Sequence, residues 1–206
     1  MVIYCEQPEA ASLAAKDVRE IFVKQLGYSM FETPLGVCGI AWGEPRDAGA
    51  RTAVAFFQLP EESTAMTEAR IARKCGARTP SAPLPEIAEL IERVRKHLGG
   101  EMQDFSDVTI DWDSVDAFSR QVYEAARKIP AGRTTTYGEI AKELGQPGSA
   151  RAVGQAMGSN PVPLLVPCHR VVAAGGKPGG FSAHGGRKTK ARMLAIEGAM
   201  PVQLEF

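Results

Sequence analysis

The stretch "TTTYGEIAKELGQPGSARAVGQAMGSNP", residues 134–161, decides the fold of the second half of the chain. Thr136 and Glu139 have the spacing of a capping box, which predicts a helix over residues 137–145. A second helix is predicted over residues 150–158, before an Asn-Pro pair. Two short helices around a tight turn rich in glycine and proline are typical of a helix-turn-helix, although an ordinary hairpin of two helices fits the same spacing.

The second predicted helix carries few long side chains. Ser149 can supply its N-cap, and only Arg151 and Gln155 could reach far from it. Reading base edges in DNA requires several long polar side chains. Small residues would instead let the helix approach DNA closely without reading much sequence, which fits a protein that seeks a lesion rather than an operator. These small residues are Ala150, Ala152, Gly154, Ala156 and Gly158.

A cysteine and a histidine follow in "LLVPCHRVV", residues 164–172. Cys168 could be a packed thiol with charged neighbours, or a nucleophile with His169 as its base. A thiol in apolar surroundings is inert unless a base or a positive charge lies nearby. Because consecutive side chains do not face each other in a helix or a strand, we expect a turn or a bridging water between them.

Two charged residues occupy helix ends that the helix dipole disfavours. Arg151 falls in the first turn of its predicted helix, where anions are favoured, and Glu197 falls in the last turn of the C-terminal helix, where cations are favoured. Each placement costs from a few tenths of a kcal/mol to about 1 kcal/mol when exposed. Both side chains could simply be solvated, but a functional role would explain the two placements.

The composition is that of an ordinary globular protein. Of the 206 residues, 44% are hydrophobic, and no run approaches the length of a membrane span. The N-terminus lacks the pattern of a secretory signal, so we expect a cytoplasmic protein. The cysteines and histidines lack the spacing of a disulfide framework or a zinc knuckle, and we expect no bound metal. These residues are Cys5, Cys38, Cys75 and Cys168, the first three expected to be small buried side chains, and His97, His169 and His184.

The net charge of zero hides an asymmetry between the two parts of the chain. Residues 1–119 hold 12 basic and 19 acidic side chains, a net charge of −7, whereas residues 120–206 hold 12 basic and 5 acidic ones, a net charge of +7. Such a split hints that the second part binds a polyanion, although charged runs are often only solvated faces.

The rest of the pattern predicts an α+β protein with two domains. We place a small mixed α/β domain at residues 1–112 and a mainly helical domain with the helix-turn-helix, a candidate for DNA binding and catalysis, at residues 113–206. The predicted elements are a helix over 10–26, strands over 34–43 and 51–59 with a turn at 44–50, a helix over 83–100, an acidic connector over 99–113 and a helix over 114–129.

The motifs together resemble a known family. "PCHRVV", preceded by "SARAVGQAMGSNPVP" and followed by "GGFSAHGG" and "LAIEG", is similar to the O6-alkylguanine-DNA alkyltransferases, also called methylated-DNA–protein-cysteine methyltransferases. The strong match spans roughly residues 117–199, and "TPLGVCGIAW" fits the weaker N-terminal domain. The resemblance implies a single, irreversible transfer of a methyl or small alkyl group from O6-alkylguanine in double-stranded DNA to a cysteine. It implies no cofactor and no membrane.

The resemblance also implies residue roles. Cys168 would be the nucleophile, His169 would take its proton through a water, and Glu197 would orient the imidazole. Tyr137 would lie at N3 of the guanine, and Arg151 would fill the gap left by the flipped nucleotide. Asn160 would tie the second helix, which enters the minor groove with Ala150 at its start, to the active-site segment. Met157, Val171, Ser182 and Phe181 would line the base pocket.

Each assignment has a plainer alternative, and two other functions compete. Tyr137 could be a packing residue, Asn160 a turn former, Ser182 a loop hydroxyl, and Met157 and Val171 plain core. Phe181 stands where some relatives carry tyrosine, which removes a hydrogen bond to the base. A Cys/His hydrolase would turn over repeatedly, and a non-catalytic helix-turn-helix regulator would prefer one DNA sequence.

Overall fold

The computed structural model describes residues 26–43, 52–77, 79–176 and 178–199. The predicted helix over residues 10–26 lies outside these ranges apart from Leu26, which opens a strand instead of closing a helix. Cys5 and the predicted turn at 44–50 also lie outside the described residues.

Within residues 26–43, 52–77 and 79–98, the first part of the chain forms an antiparallel sheet and two helices. Both predicted strands and the predicted helix that begins at a proline are confirmed, whereas the strand Leu26–Thr33 and the helix Thr64–Cys75 were not predicted. The elements are β1 (Leu26–Thr33), β2 (Gly36–Gly43), β3 (Ala53–Gln58), α1 (Thr64–Cys75) and α2 (Pro85–Leu98).

The sheet has the order β1-β2-β3 and is covered on both faces. On one face, Ile71 of α1 packs with Tyr28 and Ala41. On the other face, Phe31 of β1 and Val94 of α2 belong to the larger buried cluster. Since both faces are buried, the strands carry apolar residues without strict alternation.

The acidic connector over 99–113 adds one short pairing to this sheet. Ile110 forms a parallel bridge with Val54, supported by a hydrogen bond from Val54 N–H to the Thr109 carbonyl at 2.9 Å. The chain is thereby held along β3 before it enters the second part.

The second part is mainly helical. Its elements are α3 (Ala117–Arg127), β4 (Thr135–Thr136), α4 (Tyr137–Glu143), α5 (Ala150–Gly158), a 3₁₀ turn (Cys168–Arg170), β5 (Val171–Val172), a second 3₁₀ turn (Ala174–Gly176) and α6 (Arg187–Ile196). Within the described ranges, no helix has the length and apolar character needed to cross a membrane.

The two helices of the opening stretch begin differently from each other. The Thr136 hydroxyl accepts from the Glu139 N–H and the Glu139 carboxylate accepts from the Thr136 N–H, so the capping box is confirmed. The prediction that the Ser149 side chain caps α5 is wrong. Its backbone is not extended (ψ 15°), and its hydroxyl lies 3.2 Å from the Gln146 side-chain oxygen instead.

Three contacts hold residues 156–172, which run from α5 to β5 and include Cys168, against the neighbouring elements. Phe57 N–H in β3 donates to the Pro161 carbonyl at 2.9 Å, and the Tyr123 hydroxyl in α3 donates to the Ala156 carbonyl in α5 at 2.7 Å. β4 and β5 pair in parallel, with Thr135 opposite Val171. The fold is α+β as predicted, and buried residues on both sides of residue 112 join one cluster. The domain boundary itself stays a prediction.

Candidate active site

Cys168 opens a 3₁₀ turn at the end of a rigid connection. The connection starts at Asn160, whose side-chain amide donates to the Val166 carbonyl at 2.9 Å and whose side-chain oxygen accepts from Val162 N–H at 3.0 Å. Leu164 has φ 79°, a left-handed conformation that costs an L-residue roughly 1–2 kcal/mol and is held here by the surrounding bonds. The connection therefore fixes where the thiol lies.

The thiol is buried but has a polar environment. Cys168 is 5% exposed, and burial raises the pKa of its thiol. A hydrogen bond from the Asn160 side chain, the positive charge of Lys190 and the nearby backbone N–H of His169 oppose this rise in the pKa. These groups would stabilise a thiolate once a base has removed the proton.

His169 has one nitrogen engaged and the other free to act. Its Nε2 lies 2.9 Å from Oε1 of Glu197, with both side chains buried. Its Nδ1 is buried and has no hydrogen-bond partner in the described part of the chain. An ionised carboxylate only accepts, so Nε2 carries the proton and the neutral ring presents an unprotonated Nδ1. Burial lowers the pKa of the imidazole, which keeps the ring in this neutral form.

The expected turn between Cys168 and His169 is present. Among the described residues, no hydrogen bond joins the Cys168 sulfur to the His169 imidazole. The bridging water that the sequence also suggested stays a prediction.

Glu197 is the C-cap residue of α6 and the centre of a buried hydrogen-bond network. Its Oε1 accepts from His169 Nε2, His97 Nε2 and Arg170 Nη2 at 2.9, 2.9 and 2.8 Å, and its Oε2 accepts from Arg170 Nε at 3.0 Å. Burial alone would raise the pKa of this carboxyl, but the bonds from His169, His97 and Arg170 hold it well below its ordinary value. Glu197 is therefore ionised and immobile.

Sequence reasoning missed three charged or polar members of the site. Arg170 forms a two-pronged pair with Glu197 and also donates to the Ile129 carbonyl at 2.5 Å. Lys190 is fully buried and donates to the Val171 carbonyl at 2.6 Å, and burial lowers the pKa of its ammonium to about 8. His97 completes the set. Arg170 could have been found from its place in the same turn, but the other two have no local signal.

Tyr137 lies at the start of α4, half-buried between two glycine positions. A Cβ on Gly154 in α5 would lie 3.9 Å from its ring, and one on Gly179 would lie 3.2 Å from its hydroxyl. Gly179 also has φ 71°, which a side chain would disfavour. The Lys190 ammonium lies 5.7 Å from the centre of the ring, so the phenol and the buried cation are neighbours. Burial raises the pKa of the Tyr137 phenol.

The first turn of α5 faces away from this network. Arg151 is exposed, and in the described ranges it makes no hydrogen bond or salt bridge. Ala150 beside it is half-buried. Asn160 follows the same helix and connects it to the Cys168 segment, which places the exposed arginine and the thiol at opposite ends of α5.

A cavity of about 370 Å³ opens next to the thiol. Cys168, Phe181 and Ser182 line it together with Asn160. Met157 and Val171 are buried and do not line this cavity, so the structure does not bring them to the other two predicted pocket residues. The far wall comes from the first part of the chain and includes Phe56, Gln58, Arg70 and Lys74.

Comparison with known proteins agrees with this geometry. The family model described as the DNA-binding domain of 6-O-methylguanine DNA methyltransferase matches residues 117–199. A methylated-DNA–protein-cysteine methyltransferase of Mycolicibacterium paratuberculosis is 44% identical over 111 residues, 54% of this chain and 65% of that protein. The match thus spans just under two thirds of that relative.

Solved structures are similar over a greater length. The O6-methylguanine methyltransferase of Mycobacterium tuberculosis superposes with a TM-score of 0.66 at 31% identity, over 87% of this chain and 97% of the other. An OGT of the same organism in complex with DNA superposes with a TM-score of 0.63 at 32% identity, over 86% and 97%. These matches include both the first part and the second part of the fold.

Proposed function

The chain belongs to the methylated-DNA–protein-cysteine methyltransferase family, and on that premise we propose that it repairs DNA by moving a methyl or small alkyl group from O6-alkylguanine to Cys168. The observation that carries the proposal is the buried thiol at a cavity, next to a histidine whose free nitrogen is unprotonated. The cysteine keeps the group, so each molecule reacts once and the reaction needs no cofactor.

The chemistry requires the thiol to lose a proton and the base to gain one. Through a water, His169 Nδ1 takes the proton from Cys168 as the sulfur attacks the alkyl carbon. The bond between that carbon and O6 breaks, its electron pair stays on the guanine, and a thioether forms. Tyr137 donates a proton at N3 of the leaving base. The proton that His169 gained then returns through solvent to the Tyr137 phenolate. Overall, the thiol proton is transferred to the guanine.

Glu197 acts through His169 in this scheme. Its carboxylate fixes the ring with Nε2 protonated and stabilises the imidazolium that forms when Nδ1 takes the proton. Arg170 in turn holds the carboxylate. The positive charge of Lys190 near the thiol favours the thiolate.

Binding to double-stranded DNA is assigned to the helix-turn-helix of α4 and α5. Ala150 and the other small residues of α5 let the helix approach the minor groove, and the net charge of +7 over residues 120–206 favours a polyanion. A nucleotide must leave the stack before its base can reach a buried thiol. Arg151, exposed and without a protein partner in the described ranges, is placed to occupy the gap.

The extruded base would enter the cavity beside Cys168. Phe181 and Ser182 contact it there, and Asn160 holds both the end of α5 and the thiol segment. Met157 and Val171, which are buried, act only by shaping the protein behind the pocket. Because the proposed reaction needs Cys168 as a free thiol, we infer that the protein works in a reducing compartment such as the cytoplasm.

The test is the intact mass of the protein after mixing with a duplex that contains O6-methylguanine. We expect one added methyl group per molecule, located on Cys168 by peptide mapping, and then no further reaction. Cys168→Ser is the inactive control, and buried Cys38 should stay unmodified. Several turnovers per molecule would indicate a hydrolase instead, and a methyl group on another cysteine would refute the proposed site.

A further inference from the structure

Glu197 holds a second imidazole that comes from a distant part of the chain. His97, in the last turn of α2, places Nε2 at 2.9 Å from Glu197 Oε1 across a separation of 100 residues. Both side chains are 1% exposed.

The protonation of His97 is fixed by its other nitrogen. The backbone N–H of Gln103 donates to His97 Nδ1 at 3.1 Å, so Nδ1 must accept and cannot carry a proton. The proton is therefore on Nε2, which donates to Glu197, and the ring is neutral. Phe105 packs against it with ring centres 5.3 Å apart, which closes off the remaining side.

His97 and His169 donate to the same carboxylate oxygen. Oε1 also accepts from Arg170, so one atom has three donors. Each donor withdraws negative charge from the carboxylate and reduces its attraction for the other two. The charged and titratable groups around this oxygen are His97, His169 and Arg170, with Cys168, Lys190, Tyr123 and Tyr137 beyond the imidazole of His169.

We propose that His97 is a positioning residue for the transfer reaction: it fixes the Glu197 carboxylate from the N-terminal part of the chain and limits how strongly that carboxylate raises the basicity of His169. This inference rests on the proposed function of the site. Through His97 and Glu197, the first part of the chain is connected to His169, in addition to its contribution to the cavity wall.

The proposal predicts the direction of one change. In His97→Phe the ring volume stays, but Glu197 loses one donor and attracts the His169 proton more strongly. The pKa of His169 should then rise, since a nearby anion favours the imidazolium. The rate of transfer depends on neutral His169, so the acid limb of its pH profile should move to higher pH by the same amount. At a fixed pH on that limb, the rate should fall about tenfold.

His97→Gln is the matched variant. Its side-chain amide can still donate to Glu197 from nearly the position of Nε2, so the acid limb should return close to that of the natural protein. A purely structural role for His97 would instead lower the rate at every pH without moving the midpoint. It would also affect the glutamine variant at least as much as the phenylalanine variant.

Nitrogen-15 NMR of labelled histidine gives a readout that does not depend on activity. The chain has three histidines, so His97→Phe leaves only His169 and exposed His184, which serves as the internal reference. We expect His169 to carry its proton on Nε2 and to titrate at higher pH in His97→Phe than in the natural protein. An unchanged midpoint would overturn the inference. Absence of transfer by the natural protein would overturn the proposed function, and NMR would still decide the role of His97.

Discussion

Replacing Glu197 by glutamine tests the buried network most directly. The change keeps the size of the side chain but removes the charge that accepts two bonds from Arg170 and one each from His169 and His97. Arg170 is 6% exposed, so its guanidinium would remain buried without an anion. Removing one partner of a buried ion pair costs about 3–5 kcal/mol.

The lower end of that range applies here. Arg170 keeps its bond to the Ile129 carbonyl, and the glutamine oxygen can still accept one bond. We therefore expect the free energy of unfolding to fall by about 3 kcal/mol, which lowers the melting temperature of a chain of this size by about 6–12 °C. The rate of methyl transfer should fall at least about tenfold, because an oriented general base contributes about 10²–10⁴.

Urea unfolding at neutral pH measures the first effect, and single-turnover transfer at a temperature where the variant is folded measures the second. Affinity for undamaged DNA should stay nearly the same, since the carboxylate does not face the phosphates. Glu143→Gln is the control, because it removes an exposed carboxylate that pairs with Lys128 on the surface. A stability loss no larger than that of the control would refute the reasoning about the buried pair. An unchanged transfer rate would refute the orienting role.

Three other predictions follow from the same structure. Arg151→Ala should slow the repair of a lesion in duplex DNA severely, that of a lesion in single-stranded DNA mildly, and the reaction with free O6-benzylguanine hardly at all. Equal losses of rate on both DNAs, with the free base spared, would make Arg151 a phosphate anchor instead. Stability should fall as the pH drops below about 6.5 and again below about 4.3, because burial lowers the pKa of His169 and hydrogen bonds hold the pKa of Glu197 low, so the unfolded chain binds protons first. Urea midpoints measured from about pH 7.5 to about pH 3 check this, and a flat profile would contradict it. Lys190→Met should raise the pKa of Cys168 and slow its alkylation by iodoacetamide, with Lys188→Met as the exposed control. Equal labelling rates in Lys190→Met and the natural protein would show that the buried ammonium does not act on the thiol.

Sequence patterns predicted the elements that carry strong local signals. The capping box of Thr136 and Glu139 gave the start of α4, and the apolar spacing after Pro85 gave α2. β1 was missed because its buried residues Tyr28 and Phe31 lie on opposite faces of the sheet, one against α1 and the other in the larger cluster, so no alternation is visible. α1 was missed because only Thr67 and Ile71 of its twelve residues are buried.

The candidate site shows the same division between local and distant information. The unfavourable position of Glu197 at a helix end indicated a role, and the structure places it against His169. Its other partners could not be inferred, because His97 lies 100 residues away and Lys190 enters the core from α6 without any pattern that marks it as buried. The adjacent Cys168 and His169 marked a candidate site, and the resemblance supplied the roles that stay a prediction, whereas the buried partners around them depend on the tertiary fold.

The separation between His97 and Glu197 also fixes the order in which the members of the buried network are made during synthesis. Ribosomes add about 5–20 residues per second, so the imidazole of His97 is made roughly 5–20 s before the carboxylate that it binds. Until Glu197 arrives, His169 has no anion to fix its proton on Nε2. A nascent chain therefore carries the Cys168 thiol before His169 is oriented, so the proposed transfer requires the folded protein.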